Sequence, residues 1–230
     1  MGKFLVIGLV GAALTSPLEA ATTIFGNSVT DLEVRFDPGA LEVGDQIVLA
    51  GTERYLTYFD FEYWGVNTLD PGGATFAGAV EARVRFYLND GALFNGYATP
   101  GTMFYDSGWF GGFPATDYYP YRQTLYFQAG VDFPSGGLFI PDDEMTWTIQ
   151  FQGMGASDTV GVDLFSPPVV GQDYPDYWEN NGGWALMTNG VPVNFAATME
   201  AIVPEPSSLA LSVVGGLVTL ALARRRRRDG

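Results

Sequence analysis

The side chains that carry out most enzyme chemistry near neutral pH are largely missing from this sequence. Its 230 residues include no histidine and no cysteine, and the only lysine is Lys3. A Ser-His-Asp relay, a zinc site built from histidine or cysteine, and a Schiff-base or P-loop lysine are therefore excluded. Any catalysis has to use carboxylates, tyrosines or arginines.

Carboxylates are abundant, and a glycoside hydrolase is the enzyme class that can work with carboxylates alone. Such an enzyme needs two carboxyl groups about 5 to 9.5 Å apart, one of them with a raised pKa. The chain has 26 Asp and Glu residues, so many pairs are available and none stands out. We therefore assign no catalytic residue, predict a non-catalytic protein, and keep a carboxylate-only glycosidase as the alternative.

Oxygen ligands of the kind that Ca²⁺ prefers are clustered in two places. One is Asp142, Asp143 and Glu144, which we take as a candidate calcium site, and the other is the stretch from Asp173 to Asn181. Neither stretch matches an EF-hand loop or a glycine-aspartate nonapeptide repeat. Solvated turns are the simpler interpretation of both.

An aromatic segment from Tyr105 to Tyr121 suggests sugar binding. Aromatic rings on a loop can stack on sugar rings, and the neighbouring Asp106, Asp117 and Arg122 can bond hydroxyl groups. The rings that we take as candidate carbohydrate contacts are Trp109, Tyr118, Tyr119 and Tyr121. The alternative is that these rings pack the loop onto the folded domain. Exposed coplanar rings would favour carbohydrate binding, and buried rings would favour packing.

The net negative charge limits which kinds of partner the protein can bind. All acidic residues except Glu19 and Asp229 lie between residues 21 and 206, and this stretch contains five arginines and no lysine, for a net charge of −19. A surface of that sign repels phosphate backbones, so we expect no nucleic-acid binding. It favours solubility and attracts divalent cations.

The N-terminal 20 residues have the order of a secretory signal peptide. Lys3 is followed by an apolar run of eleven residues, and the stretch ends in small residues. The run is too short to span a bilayer, and we place the cleavage after Ala20. The alternative is a buried N-terminal strand or helix. A signal peptide implies export through the Sec pathway.

The C-terminal residues 203–230 combine three features in order. Pro204, Glu205 and Pro206 hold the chain extended before an apolar stretch at 207–223, which would make a helix about 25 Å long against a hydrocarbon core of ~30 Å. The apolar stems of arginine side chains can make up the missing length of this helix. A cluster of arginines also stays on the cytoplasmic side of the membrane. That cluster is Arg224, Arg225, Arg226, Arg227 and Arg228.

These C-terminal residues resemble the PEP-CTERM sorting tail, whose pattern is Val-Pro-Glu-Pro, a short transmembrane helix and an arginine-rich end. The resemblance covers about 28 residues and identifies Pro204, Glu205 and Pro206 as the sorting motif. It implies recognition by an exosortase, a membrane-embedded protease of Gram-negative producers of exopolysaccharide. It also implies a precursor anchored in the inner membrane and a mature form at the cell surface or in the matrix. An ordinary single-pass anchor is the alternative.

Between the two ends, alternating apolar and polar residues indicate strands. Val80–Leu88 and Met145–Gln152 alternate most regularly, and turn residues separate about nine such segments. The other seven are 32–36, 46–50, 55–63, 124–133, 160–164, 184–188 and 195–201. This pattern predicts an all-β fold for residues 21–202, an antiparallel β-sandwich of the jelly-roll type.

Two classes of function follow. The first is an exported, non-catalytic protein of the cell surface or extracellular matrix, processed by an exosortase and associated with exopolysaccharide. The alternative is a carbohydrate-binding module or glycoside hydrolase that acts on that polysaccharide.

Overall fold

A computed structural model describes residues 20–116, 122–188 and 190–203, and all regular secondary structure within these ranges is β-strand. The strands follow in chain order: β1 (Thr22–Asn27), β2 (Asp31–Phe36), β3 (Glu42–Val48), β4 (Tyr55–Asn67), β5 (Glu81–Leu88), β6 (Leu93–Phe94), β7 (Tyr97–Ala98), β8 (Met103–Asp106), β9 (Phe110–Gly111), β10 (Gln123–Gln128), β11 (Leu138–Phe139), β12 (Glu144–Gln152), β13 (Asp158–Phe165), β14 (Gln172–Asn180), β15 (Trp184–Met187) and β16 (Ala197–Ile202).

Within the described residues these strands form two seven-stranded antiparallel sheets and one short hairpin. The first sheet has the order β1-β16-β4-β13-β2, with β10 and β11 paired to β4. The second sheet has the order β15-β14-β3-β12-β5-β8, with β9 paired to β5. The hairpin consists of β6 and β7. The predicted all-β, antiparallel fold class is thus confirmed.

The two most regular predicted segments are the centre of the second sheet. Met145, Trp147, Ile149 and Phe151 of β12 are fully buried, as the alternation predicts. The facing positions of β5, such as Phe86 opposite Trp147, are buried with them.

One hydrophobic core draws on both sheets. Phe59 of β4 meets Phe86 of β5 with ring centroids 5.1 Å apart and Trp147 of β12 at 5.3 Å, both edge to face. Phe195, just before β16, packs against the same Trp147 at 5.5 Å. Aromatic pairs in this geometry stabilise a core beyond the area that they bury.

Each of the nine predicted strands has a counterpart, but two strands of six or more residues were not predicted. One is β1, and the other is β14, whose stretch we had read as a source of oxygen ligands. A bulge between Asp173 and Tyr177, around Pro175, breaks the alternation of β14 and hides it from a period-two search.

The described residues from Ala21 to Val203 form one compact unit. Its first and last strands are neighbours, because Thr22 of β1 pairs with Ala201 of β16. The predicted signal peptide, apart from Ala20, and the predicted sorting tail after Val203 lie outside the described residues. In the described part, no helix has the length and apolar character needed to cross a membrane.

Candidate functional site

The outer face of the second sheet, which points away from the shared core, carries a layer of polar and aromatic side chains. Because successive side chains alternate between the two faces of a strand, the register decides which residues share it. Its members include Arg83, Arg85 and Tyr87 of β5, Thr146 and Thr148 of β12, Glu42, Gly44 and Gln46 of β3, Trp178 and Asn180 of β14, and Trp184 of β15.

Glu42 is the centre of this face and has four hydrogen-bond donors. Its Oε1 accepts bonds from Tyr87 Oη at 3.0 Å and Thr148 Oγ1 at 2.8 Å. Its Oε2 lies 2.8 Å from an Arg85 terminal nitrogen and accepts a bond from Asn180 Nδ2 at 3.1 Å. The residue is only 5% exposed, so the centre of the face is a filled polar layer rather than an open cleft.

Gly44 lets this layer pack down onto the strands. A Cβ at this position would lie 2.7 Å from Cγ2 of Thr146 and 2.9 Å from Cγ2 of Thr148. Both threonines are fully buried, although the alternation predicts a solvent-facing side for them. The outer face is not open to solvent at these two positions, because Thr148 Oγ1 bonds to Glu42 and Thr146 Oγ1 accepts a bond from Asn89 Nδ2.

At one end of the face, the rings of β14 and β15 are packed. Trp178 is fully buried and donates from Nε1 to Gln46 Oε1 at 2.9 Å. Phe94 of the β6–β7 hairpin meets Trp178 edge-on at 6.3 Å, and Trp184 meets Tyr87 in the same way at 5.4 Å. These rings serve packing.

At the other end, an ion pair and an indole ring remain partly open. Arg83 Nε lies 2.8 Å from Asp106 Oδ1, and the Arg83 guanidinium carbon lies 5.7 Å from the ring centroid of Trp109. The hydrogen bond from Arg83 lowers the pKa of Asp106 to about 2. The side chains of Arg83 and Asp106 are 27% and 23% exposed, and Trp109 is half-buried. This trio is a partly accessible end of the face.

The remaining residues of the aromatic segment divide into two groups. Phe110 and Phe113 pack against the core, as the packing interpretation predicts. Tyr118, Tyr119 and Tyr121 lie outside the described residues. Trp109 is thus the one candidate carbohydrate contact that the described structure places.

The candidate calcium residues follow β11. Asp143 pairs with Arg54, with a nitrogen–oxygen distance of 2.5 Å, and its own side chain is 76% exposed. Glu144 Oε1 accepts a short hydrogen bond from Gln46 Nε2, while Asp142 Oδ1 accepts one from the backbone of Asp143. Among the described residues, no group of three or more acidic side chains is placed to hold a metal ion.

Of the predicted processing residues, the structure describes Ala20, which is exposed directly before the compact unit. The sorting motif Pro204, Glu205 and Pro206 and the arginines Arg224–Arg228 lie outside the described residues.

A second charged layer, on the outer face of the first sheet, was not foreseen. Arg35 Nε lies 2.8 Å from Asp163 Oδ1, and Arg122 pairs with Asp31 at 2.7 Å and with Glu62. The Asp163 side chain is fully buried, and burial outweighs the attraction of Arg35, raising its pKa to about 7. The register of β2 against β13 brings Arg35 and Asp163 together, and alternation alone does not give that register.

A groove beside β8 and β10 holds two carboxylates, the arrangement that a glycosidase would need. It is lined by Tyr105, Phe110, Phe127, Asp106 and Asp132, among others. Asp106 is held ionised by Arg83, which does not suit a general acid. Asp132 Oδ2 accepts a hydrogen bond from the backbone of Gln128 in its own turn. The groove therefore gives weak support to catalysis.

Comparison with known proteins gives no match to any family model, curated protein or solved structure.

Proposed function

We propose that this chain is an exported, non-catalytic protein of the cell surface or extracellular matrix, made as a precursor with a signal peptide and an exosortase-processed tail. The observation that carries the proposal is the ordered tail: Pro-Glu-Pro at 204–206, an apolar stretch at 207–223, then five arginines. In this proposal the compact unit is a β-sandwich of the jelly-roll type, and 207–223 is a single transmembrane helix that holds the precursor in the inner membrane.

The limits of the folded unit support the proposal. Its last strand ends at Ile202, and the compact unit ends at Val203, directly before the Pro-Glu-Pro motif. The unit begins at Ala21, directly after the proposed signal cleavage. Removal of both ends would thus leave every described strand in place.

The test follows the protein through the producing cell. We expect the wild type to leave the membrane fraction and to lose the mass of its tail, as seen by fractionation and intact-mass spectrometry. The double change Pro204→Ala and Pro206→Ala should hold it in the membrane at its uncut mass. Ser207→Ala, next to the motif, is the matched control. Normal release of the double variant, or retention of the control, contradicts the proposal.

We also propose, as the second function, that the Arg83–Asp106–Trp109 trio binds extracellular polysaccharide. A partly open indole ring beside a fixed carboxylate and guanidinium offers a sugar one stacking surface and several hydrogen-bond partners.

Retention on the exopolysaccharide of the producing strain tests this second proposal. Trp109→Ala should weaken retention at least tenfold, because the stacking surface is lost. Phe139→Ala is the matched control, since Phe139 is an exposed ring (51%) on β11 of the other sheet and does not line the groove that contains Asp106. The proposal fails if the wild type is not retained, or if both variants weaken retention equally.

A further inference from the structure

Four oxygen-bearing side chains, outside both charged layers, meet where four segments of the chain converge. Asn27 ends β1, Asp45 lies on the core side of β3, Asp173 begins β14, and Asn194 lies before β16. Asn27, Asp45 and Asn194 are 1%, 0% and 2% exposed. Asp173 is partly exposed and leads from this cluster to solvent.

The contacts among these side chains show that they form one cluster around the Phe195 backbone. Asp45 Oδ2 accepts a hydrogen bond from Phe195 N at 2.9 Å, and Asn27 Nδ2 lies 3.3 Å from Phe195 O. The same Asn27 nitrogen lies 3.4 Å from Asp173 Oδ2 and 2.8 Å from Phe165 O. Asn194 also bonds to Asp173.

The cluster has more oxygen acceptors than donors. Asn27 Oδ1, Asp45 Oδ1 and Asn194 Oδ1 are buried without any hydrogen-bond partner. A buried polar atom without a partner is costly, and a cation bound among these side chains would remove that cost. The five arginines of the unit form their ion pairs with other acids, namely Asp31, Glu42, Glu62, Asp106, Asp143 and Asp163.

Asp45 and Asp173 give the cluster two carboxyl groups, and the Asp45 side chain is fully buried. A divalent cation would neutralise both carboxylates and remove the cost of burying them.

We propose that Asn27, Asp45, Asp173 and Asn194 bind one Ca²⁺ ion, with the Asn27 amide turned so that Oδ1 replaces Nδ2 on the side of Asp173. Two carboxylates, two amide oxygens and nearby backbone carbonyls are the ligand types that Ca²⁺ prefers, and two carboxylates balance its charge. The ion joins β1, β3, β14 and the segment before β16, and its function is structural. This site is separate from Asp142, Asp143 and Glu144.

The test uses the full chain in detergent, stripped of metal with a chelator and titrated with CaCl₂. Calorimetry should show saturable heat, and Ca²⁺ at a hundred times its Kd should raise the Tm by about 5 to 10 °C. Mg²⁺ should give a smaller rise, because it requires a tighter octahedral shell. No heat and no shift, or an equal shift with Mg²⁺, overturns the proposal.

Variants locate the site. Asp45→Asn should remove the Ca²⁺-dependent rise, and without metal its Tm should equal or exceed that of the wild type, since one buried charge is gone. Asp143→Asn is the control and should keep the full rise. The proposal is wrong if Asp45→Asn keeps the rise or if Asp143→Asn loses it.

A second measurement covers the case in which Asp45→Asn does not fold. Trp147 and Tyr177 are the register partners of Asp45 on its two neighbouring strands. Tb³⁺ bound to the wild type should therefore luminesce on aromatic excitation, and Ca²⁺ should quench the signal by competition. Absence of sensitised emission overturns the proposal.

Discussion

The outer faces of the two sheets use the same kinds of charged residues with different results. Among the described residues, the layer on the second sheet joins Glu42 and Asp106 to two arginines, Arg83 and Arg85. The layer on the first sheet joins three carboxylates to two arginines, namely Asp31, Glu62 and Asp163 with Arg35 and Arg122.

On the first sheet, two of the three carboxylates have a raised pKa. The pKa of the third, Asp31, is lowered, because the hydrogen bond from Arg35 and other contacts outweigh its burial. Burial raises the pKa of Glu62 and, to about 7, that of Asp163, and neighbouring carboxylates add to both shifts. Matched pairing on the second sheet instead lowers the pKa of Asp106 to about 2. The balance of acids and arginines, together with burial, decides whether a buried carboxylate stays charged near neutral pH.

We expect the largest effect from a substitution that removes one arginine from the matched charges of the second sheet. Arg85→Met leaves Glu42 buried without its ion pair, which should cost about 3 to 5 kcal/mol and lower the Tm by roughly 10 °C. Urea and thermal unfolding measure the loss. The double variant Glu42→Gln, Arg85→Met should recover much of it, because no charge is left unpaired. A loss below about 1 kcal/mol for the single variant contradicts the comparison.

The next effect tests the first sheet. Folding raises the pKa of Asp163 from 3.8 to about 7, so the folded state favours the protonated carboxyl group. The stabilisation of the fold that follows is complete below pH 3.8 and is lost as the pH rises through 7. The free energy of unfolding of Asp163→Asn should therefore rise, relative to that of the wild type, by about 2 to 4 kcal/mol between pH 4 and pH 8.

Urea unfolding across this pH range measures the difference. Asp142→Asn, an exposed acid on a turn, is the control and should follow the wild type. Parallel curves for Asp163→Asn and the wild type would show that Arg35 keeps Asp163 ionised throughout.

The smallest effect is expected at the open end of the second sheet. Arg83→Gln removes a partly exposed pair, so the loss at pH 7 should be about 0.2 to 1 kcal/mol. The lowered pKa of Asp106 stabilises the fold above pH 3.8, and this contribution is lost as the pH falls toward 2. Unfolding at pH 7 and pH 2.5 should show a smaller difference at pH 2.5 than at pH 7. A loss as large as that of Arg85→Met would mean that burial does not explain the different stabilities of the Arg83–Asp106 and Arg85–Glu42 pairs.

The sequence predicts the fold class well where one face of a strand is apolar. In β5 and β12 the core residues recur at every second position, so their strands and faces follow from the sequence alone. The layer over Thr146 and Thr148 does not follow, because it depends on side chains that reach across neighbouring strands. Those contacts depend on which strands are neighbours in the sheet, and the alternation of apolar and polar residues does not give the strand order.

The candidate sites were predicted less well, for related reasons. Trp109 was singled out by its residue type, but its partner Arg83 comes from a strand 26 positions away. Asp45 interrupts an apolar face between Val43 and Ile47, and this is the sequence signal that points to the interior cluster. Contacts within this cluster join residues that are 146 positions apart (Asn27 and Asp173) and 150 positions apart (Asp45 and Phe195), so they form only in the folded sheets.

The pairing of β1 with β16 has a mechanical consequence. Strand β16 lies between β1 and β4, and it ends one residue before the exit at Val203. A pull on Val203 against the body of the domain runs along β16 and loads the hydrogen bonds on both of its sides in shear, because these bonds lie across the strand direction. A load between Ala21 and Val203 would instead unzip β1 from β16 one bond at a time, so the domain should resist the first load better than the second.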